Sequence, residues 1–267
     1  MKLSLAQKLV LVIEVVVVVF AILGGTATYF IFQRSLIERT RAQLTSIAVL
    51  KENAVKEYVG NAKREIGFFV QAEHGHVILA DTLKEKEIKD DKEVQGLFSE
   101  IIKDGHSFRD IMLLDMTGRV IMSSNPLDEG KIKDLESMSG EFYYDVTIGE
   151  TAMAVASTIK DKNGVEIGVL AGRLGIEEIS KLMIERSGLG TTGETFIVNS
   201  SNVVVTELLK EPGLALKKTL FLPQIERCLL GESNFEGIMD YHGDSVFGYW
   251  RWFPEIKSCL VTKIDRT

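Results

Sequence analysis

Twenty-four residues, Leu9 to Phe32, carry a single charge, Glu14, and Val15 to Phe32 form an uninterrupted run of eighteen without one. At about 1.5 Å per residue a helix of that length spans roughly 36 Å, enough to cross a hydrocarbon core of about 30 Å. We therefore expect a transmembrane helix over residues 9–33, with residues 1–8 as a cytoplasmic amino terminus. The alternative is a cleaved signal peptide, with Val15 to Leu23 as its apolar core and Gly24 to Thr28 as its cleavage zone. The apolar run continues beyond that cut through Tyr29, Phe30, Ile31 and Phe32, which favours the span. Glu14 lies five residues into the run, close enough to the interface to snorkel. Flanking charges do not orient the helix, because Lys2 and Lys8 at one end balance Arg34, Arg39 and Arg41 at the other.

Beyond the span the texture is helical. Residues 34–80 contain no proline, and Leu36, Leu44, Ile47, Ala54, Tyr58, Ile66 and Phe69 recur at three- and four-residue steps between charged side chains. This period predicts a long stalk helix, with a break at Glu73-His-Gly-His76. Its far half should pack on its own domain. Its near half has no other segment to cover its stripe, so we expect it to pair two copies of the chain.

A shorter helix is predicted from Val94, Leu97, Phe98, Ile101 and Ile102, capped at Gly105. The period then changes to two. Asp110 to Asp115 and Val120 to Ser123 read as strands around Gly118, Phe142 to Ile148 and Thr151 to Ile159 as a hairpin around Gly149, and Val165 to Leu174 as a fifth strand. After a helix from Ile176 to Arg186 the plan repeats: Glu194 to Asn199, Val203 to Thr206, a short helix near Gln224 to Leu230, then Asn234 to Tyr241, Ser245 to Phe253 and Ser258 to Ile264. The expected fold class is α+β, with two successive modules of antiparallel sheet. The duplication shows directly when Met112-Leu-Leu-Asp-Met-Thr-Gly-Arg-Val-Ile-Met-Ser-Ser124 is set beside Phe196-Ile-Val-Asn-Ser-Ser-Asn-Val-Val-Val-Thr206.

With these phrases, and with Ser157 to Gly168, Gly188 to Asn199 and the ending from Tyr241 to Asp265, the sequence resembles the double-Cache sensor ectodomains of prokaryotic membrane receptors. These are tandem PAS-like modules hung on one long helix. The resemblance runs from the membrane helix almost to the last residue. It implies an extracytoplasmic location in the cell membrane, a stalk at 34–80, a membrane-distal module at 81–187 and a membrane-proximal module at 188–267. It also implies a second span after Asp265 and a kinase, cyclase or chemotaxis output region, so we expect this chain to be truncated.

Other chemistries find little support. A net charge of −7 argues against nucleic acid as a partner. Gly188-Leu-Gly-Thr-Thr-Gly193 spells a dinucleotide fingerprint but follows a helix and opens a strand, the reverse of the order that phosphate binding needs. His74 and His76 lack the spacing and the companions of a zinc set, and no hydrolase motif occurs. We expect neither enzymatic activity nor a cofactor. Cys228 and Cys259 are expected as buried free thiols, with an extracytoplasmic bridge as the alternative. Alternation splits Val246 to Phe253 into Phe247, Tyr249, Arg251 and Phe253 on one face and Trp250 and Trp252 on the other, both expected in core packing.

The candidate ligand site is in the first module: Arg109, Phe142, Tyr144, Asp145, Ser157 and Arg173. An aromatic wall with one carboxylate suits an amine, and Arg109 or Arg173 suits a carboxylate. The tyrosine, arginine and tryptophan pattern of amino-acid-binding relatives is missing, so no amino-acid ligand is carried over. The expected mechanism is a small molecule that biases two arrangements of the distal sheet and the long helix. The rival function is a membrane-tethered structural or protein-interaction domain that binds no small molecule.

Overall fold

The computed structural model describes residues 5–85, 92–104, 108–134 and 140–266. Helix α1 is Leu5–Gln71, 67 residues long. The chain divides into two compact units, 1–43 and 44–267. In the first, one helix is long and apolar enough to cross a membrane, and the apolar side chains of Val16 to Leu23 and Tyr29 to Phe32 stand exposed. Side chains this greasy, uncovered by protein, need an apolar surrounding.

The second unit contains the remainder of α1, helices α2 (Glu73–Glu85), α3 (Lys92–Asp104), α4 (Glu177–Ile184) and α5 (Pro223–Leu229), and nine strands. The long helix breaks at Ala72, one residue before the expected interruption. The Gly105 cap expected for α3 lies outside the described residues.

Strands β1 (Phe108–Asp115), β2 (Val120–Ser123), β3 (Tyr143–Asp145), β4 (Glu150–Lys160) and β5 (Glu166–Gly175) form an antiparallel sheet in the order β2-β1-β5-β4-β3. Strands β6 (Glu194–Asn199), β7 (Ser233–Met239), β8 (Ser245–Phe253) and β9 (Ser258–Asp265) form a second in the order β6-β9-β8-β7. The two orders are the same plan, with β6, β9, β8 and β7 in the places of β1, β5, β4 and β3.

The place of β2 is not a strand in the second sheet. Residues Val203 to Thr206 make only isolated bridges, Val198 to Val204 and Val203 to Thr219; Asn199 donates to Val203 and Val205 to Ile197, but the Ile197 amide goes to the Thr206 hydroxyl rather than to a strand carbonyl. The expected strand from Phe142 to Ile148 shrinks to the three residues of β3. Between β2 and β3 the first copy shows among the described residues only a 3-10 turn, Pro126–Asp128, where the repeated plan called for a helix.

Four turns share one chemistry. The side-chain oxygens of Asp115, Asp161, Asn199 and Asp240 each accept from the backbone N–H two and four residues on, at 2.8–3.1 Å. Three residues on stands Gly118, Gly164, Asn202 or Gly243, each with φ between 62° and 89°.

Helix α1 covers the inner faces of both sheets. Ala62, Ile66 and Val70 join Leu79 and Leu83 of α2, Phe98 and Ile101 of α3, and Ile111, Val155, Leu170 and Leu174 of the first sheet. Leu44, Ile47, Ala48 and Val55 pack with Ile179 and Met183 of α4 and with Ile197, Tyr249, Phe253 and Leu260 of the second sheet. The far half of the stripe therefore packs on its own domain, as its period implied, but the expectation that the near half lacks a cover is overturned, because Leu44, Ile47 and Val55 are buried by α4 and the second sheet of the same chain. Strand β8 is covered on both faces, with Tyr249 and Phe253 in the α1 core and Trp250 in the core beneath α5.

The expectation of free thiols is overturned: Cys228 and Cys259 are bridged, with their Cα atoms 5.8 Å apart. Packing of α5 on β8 and β9 sets Cys228 over Cys259, a juxtaposition across 31 residues of sequence. Closing a loop of that length restricts the unfolded chain by roughly 3–4 kcal/mol. Replacing both cysteines by alanine is expected to lower the unfolding free energy by that order in urea melts. The close approach of α1 to β5 makes a second check, because a Cβ on Gly172 would stand 2.5 Å from the Phe108 ring and 3.0 Å from Ile66. Gly172→Ala should cost about 1–3 kcal/mol by overpacking, read in the same melts.

Candidate functional site

The outer faces of the two sheets differ. On the second sheet Phe196, Val198, Trp250, Cys259 and Val261 lie beneath Ile225 and Cys228 of α5. The first sheet has only a small cluster, Met112, Leu114, Val120, Ala154 and Ala171. Beside it the same sheet buries the charges of Asp110, Asp145 and Arg173.

Arg173 on β5 is fully buried and faces three carboxylates. Its Nη2 donates to Asp128 Oδ2 at 2.6 Å, Nη1 lies 3.1 Å from Asp110 Oδ2, and Nε lies 3.5 Å from Asp145 Oδ2. Asp110 is the register partner of Arg173 across the β1–β5 pair, Asp145 ends β3, and Asp128 ends the 3-10 turn. Lys133 adds a second cation, 2.7 Å from Asp128 and 3.5 Å from Asp145. Thr147 donates its hydroxyl to Asp128 at 3.1 Å and its amide to Asp145 at 2.8 Å.

Three carboxylates against two cations leave the cluster one negative charge in excess. The carboxylate oxygen of the cluster left over is Asp110 Oδ1, which is buried without a hydrogen-bond partner. Asp110 also lines a cleft of about 490 Å³, with Ile102, Arg109, Ser124, Asn125 and Thr147 among its walls. Burial raises the Asp110 pKa to about 6 against the pull of Arg173, and the neighbouring charges of Asp128 and Asp145 push the same way. Burial acts on Asp128 too, but the hydrogen bonds from Lys133 and Arg173 prevail and hold its pKa below the usual value. One carboxylate is thus locked in its ionised form and another is poised at the cleft.

Of the residues singled out from sequence, Arg173 and Asp145 meet in this cluster, and Arg109 lies at the cleft, paired with Glu177. Asp145 is bound inward by Arg173, Lys133 and Thr147 rather than presented to a ligand. Phe142 is buried in the α1 core beside Met153 and Ile256, Tyr144 is exposed on the edge strand, and Ser157 shares its strand phase with Val155 and Ile159, which face the helices. These three are outside the cleft. Sequence reasoning missed Asp110, Asp128 and Lys133. Asp110 carried a readable signal: it stands in phase with Met112 and Leu114, where alternation calls for a buried residue.

The second sheet has an equivalent pair whose acceptors are filled. Glu194 on β6 is the register partner of Lys263 on β9, 3.1 Å away, and Lys263 also contacts Asp240. The Tyr241 hydroxyl lies 2.8 and 3.0 Å from the Glu194 oxygens, and the Leu209 amide donates to the same carboxylate. The adjoining cavity measures about 30 Å³. One sheet therefore pairs its buried charges internally, and the other leaves a buried carboxylate open to a cleft.

Tandem antiparallel sheets of one plan on a shared helix define a PAS-like sensor of the double-Cache type. A family model described as a Cache domain matches residues 30–266, and the chain belongs to that family. Among solved structures it is similar to the ligand-binding domain of a Campylobacter jejuni chemoreceptor in complex with 4-methylisoleucine (TM-score 0.61, 16% identity, 86% of this chain and 92% of that one). It is also similar to the sensor domain of the V. cholerae histidine kinase DctB (0.60, 13%, 88% and 98%). A third is the ligand-binding domain of the Pseudomonas aeruginosa amino acid chemoreceptor PctC in complex with GABA (0.57, 15%, 85% and 100%). At these identities the likeness is one of fold. No curated protein sequence matches the chain. Cache domains of this kind are extracytoplasmic sensor and ligand-binding domains.

The Asp110 shift has a measurable sign. Its folded-state pKa of about 6 exceeds the ordinary 3.8, so this group's contribution to stability is complete below about pH 4 and is lost as pH rises through 6. The stability of the native chain relative to Asp110→Asn should therefore fall by roughly 2–3 kcal/mol between pH 4 and pH 7. Urea melts across that range check it; a difference that rises with pH would contradict the assignment.

Proposed function

We propose that this chain is the ligand-sensing region of a membrane-anchored signalling receptor. Residues 9–33 lie in the membrane, the bulk is extracytoplasmic, and a small molecule binds in the cleft of the distal lobe, residues 81–187. Residues 188–267 form the lobe near the membrane, and α1 passes the change toward the bilayer. The observation that carries the ligand site is the unpartnered Asp110 oxygen buried beside a cleft of about 490 Å³, set against the filled acceptors of Glu194 in the second sheet.

The excess negative charge favours a ligand with an ammonium or other cationic group. The carboxylate then supplies a charge-assisted hydrogen bond, and Ile102 and Ile148 provide apolar walls. Two of the structural neighbours were solved with compounds that carry an amino group, 4-methylisoleucine and GABA.

A thermal-shift screen of small amines and carboxylates on the full chain in lipid nanodiscs tests this. A compound at 100 times its dissociation constant should stabilise by about 2.7 kcal/mol. Asp110→Asn should abolish the shift, whereas Tyr241→Phe in the other lobe should keep it. Amine affinity should fall about tenfold per pH unit below about 6, where Asp110 takes up its proton. Hits confined to carboxylates, or retained in Asp110→Asn, would overturn the site.

A further inference from the structure

Helix α4, only eight residues long, is clamped at both ends, and the two clamps belong to different parts of the fold. At its first turn the Glu177 carboxylate pairs with the guanidinium of Arg109, which lines the cleft. Gly175 makes room for this contact, since a Cβ there would collide with the Glu177 carboxylate and approach Arg109 Nε at 3.1 Å. At its last turn Lys51 of α1 donates to the carbonyl of Leu182, to that of Glu185 at 2.7 Å and to the Glu185 carboxylate at 2.8 Å. The ammonium is aimed at a single helix carboxyl terminus, where orphan carbonyls and the helix dipole both favour a cation.

The clamps differ in strength. The Arg109 and Glu177 side chains are 46% and 47% exposed, and solvent screens such pairs until they contribute little. The Lys51 side chain is 8% exposed, and between the clamps Ile179 and Met183 share one core with Leu44, Ile47 and Val55 of α1. A weak contact at the cleft thus stands about 12 Å, the length of the helix, from a buried contact on α1.

We propose that α4 is the coupling element between the cleft and α1, with the Arg109–Glu177 pair as its ligand-responsive end and Lys51 as its hold on α1. A ligand ammonium that competes with Arg109 for the Glu177 carboxylate breaks this pair at little cost, and the released helix shifts its grip on α1. This proposal rests on the sensor reading, but its test needs no ligand. A failed ligand screen and a failed coupling test are therefore separate outcomes.

The test is hydrogen-exchange mass spectrometry on the full chain in nanodiscs, comparing wild type with Arg109→Ala, Lys51→Met and the control Lys181→Ala. Lys181 lies on α4 in an exposed pair with Glu178, outside both clamps. Arg109→Ala should raise amide exchange in α4 and in the α1 peptide around Lys51 by up to about fivefold. Lys51→Met should raise it in α4 and in the β1 peptide carrying Arg109, and Lys51→Arg should restore it in part. Changes confined to the immediate neighbours of the substituted side chain would overturn the proposal, as would a Lys181→Ala variant that loosens α1 equally. If Lys51→Met does not accumulate, Arg109→Ala decides, because Arg109 is a surface residue whose loss leaves no cavity.

Discussion

One helix seals the inner faces of both sheets, and the remaining architecture follows from that covering. Leu44 to Val55 closes one core and Ala62 to Val70 the other, and between the two a cavity of about 380 Å³ remains beside Val59 of α1 and Val155 of β4. Close contact is possible because β5 carries Gly168 and Gly172 where α2 and α1 cross it. A side chain there would meet Leu83 in one case and Phe108 and Ile66 in the other. Interiors this dense behave as alternatives rather than as continuously deformable material, so a rearrangement of either sheet is felt by α1.

The outer faces are then free to diverge. On the second sheet, aromatic packing, the Cys228–Cys259 bridge and a filled charge pair make a self-sufficient wall. On the first, Arg173 and three aspartates are buried where apolar residues of similar volume would hold the fold at least as well. Burying charge is costly even when it is paired. A group that remains incompletely paired at a cleft is better explained by what it recognises than by what it stabilises.

Much of the fold was legible because its signals are local. The Asp or Asn followed three residues later by Gly or Asn, seen at 115–118, 161–164, 199–202 and 240–243, specifies a turn through its own side-chain hydrogen bonds and a positive φ. Polar or aromatic character on otherwise apolar strands placed Arg173 and Asp145 among the candidates. It failed where a residue left the strand: Phe142 precedes β3 and drops into the α1 core, and Tyr144 turns outward on the sheet edge. Val203 to Thr206 has the composition of a strand, yet its pairing with Lys218 and Thr219 is a long-range choice that local preference does not encode.

The sequence by itself determined the long apolar run, the stalk period, the turns and the doubled plan, because each depends on residues a few positions apart. Only the tertiary structure decided which charges meet. Asp110, Asp128, Asp145, Lys133 and Arg173 are dispersed over 64 positions of sequence and converge through sheet order and the segment after β2 that carries Asp128 and Lys133, as Cys228 and Cys259 converge through the seating of α5. Coulomb and hydrogen-bond energies depend on distance and burial, and neither quantity exists until the strands have paired.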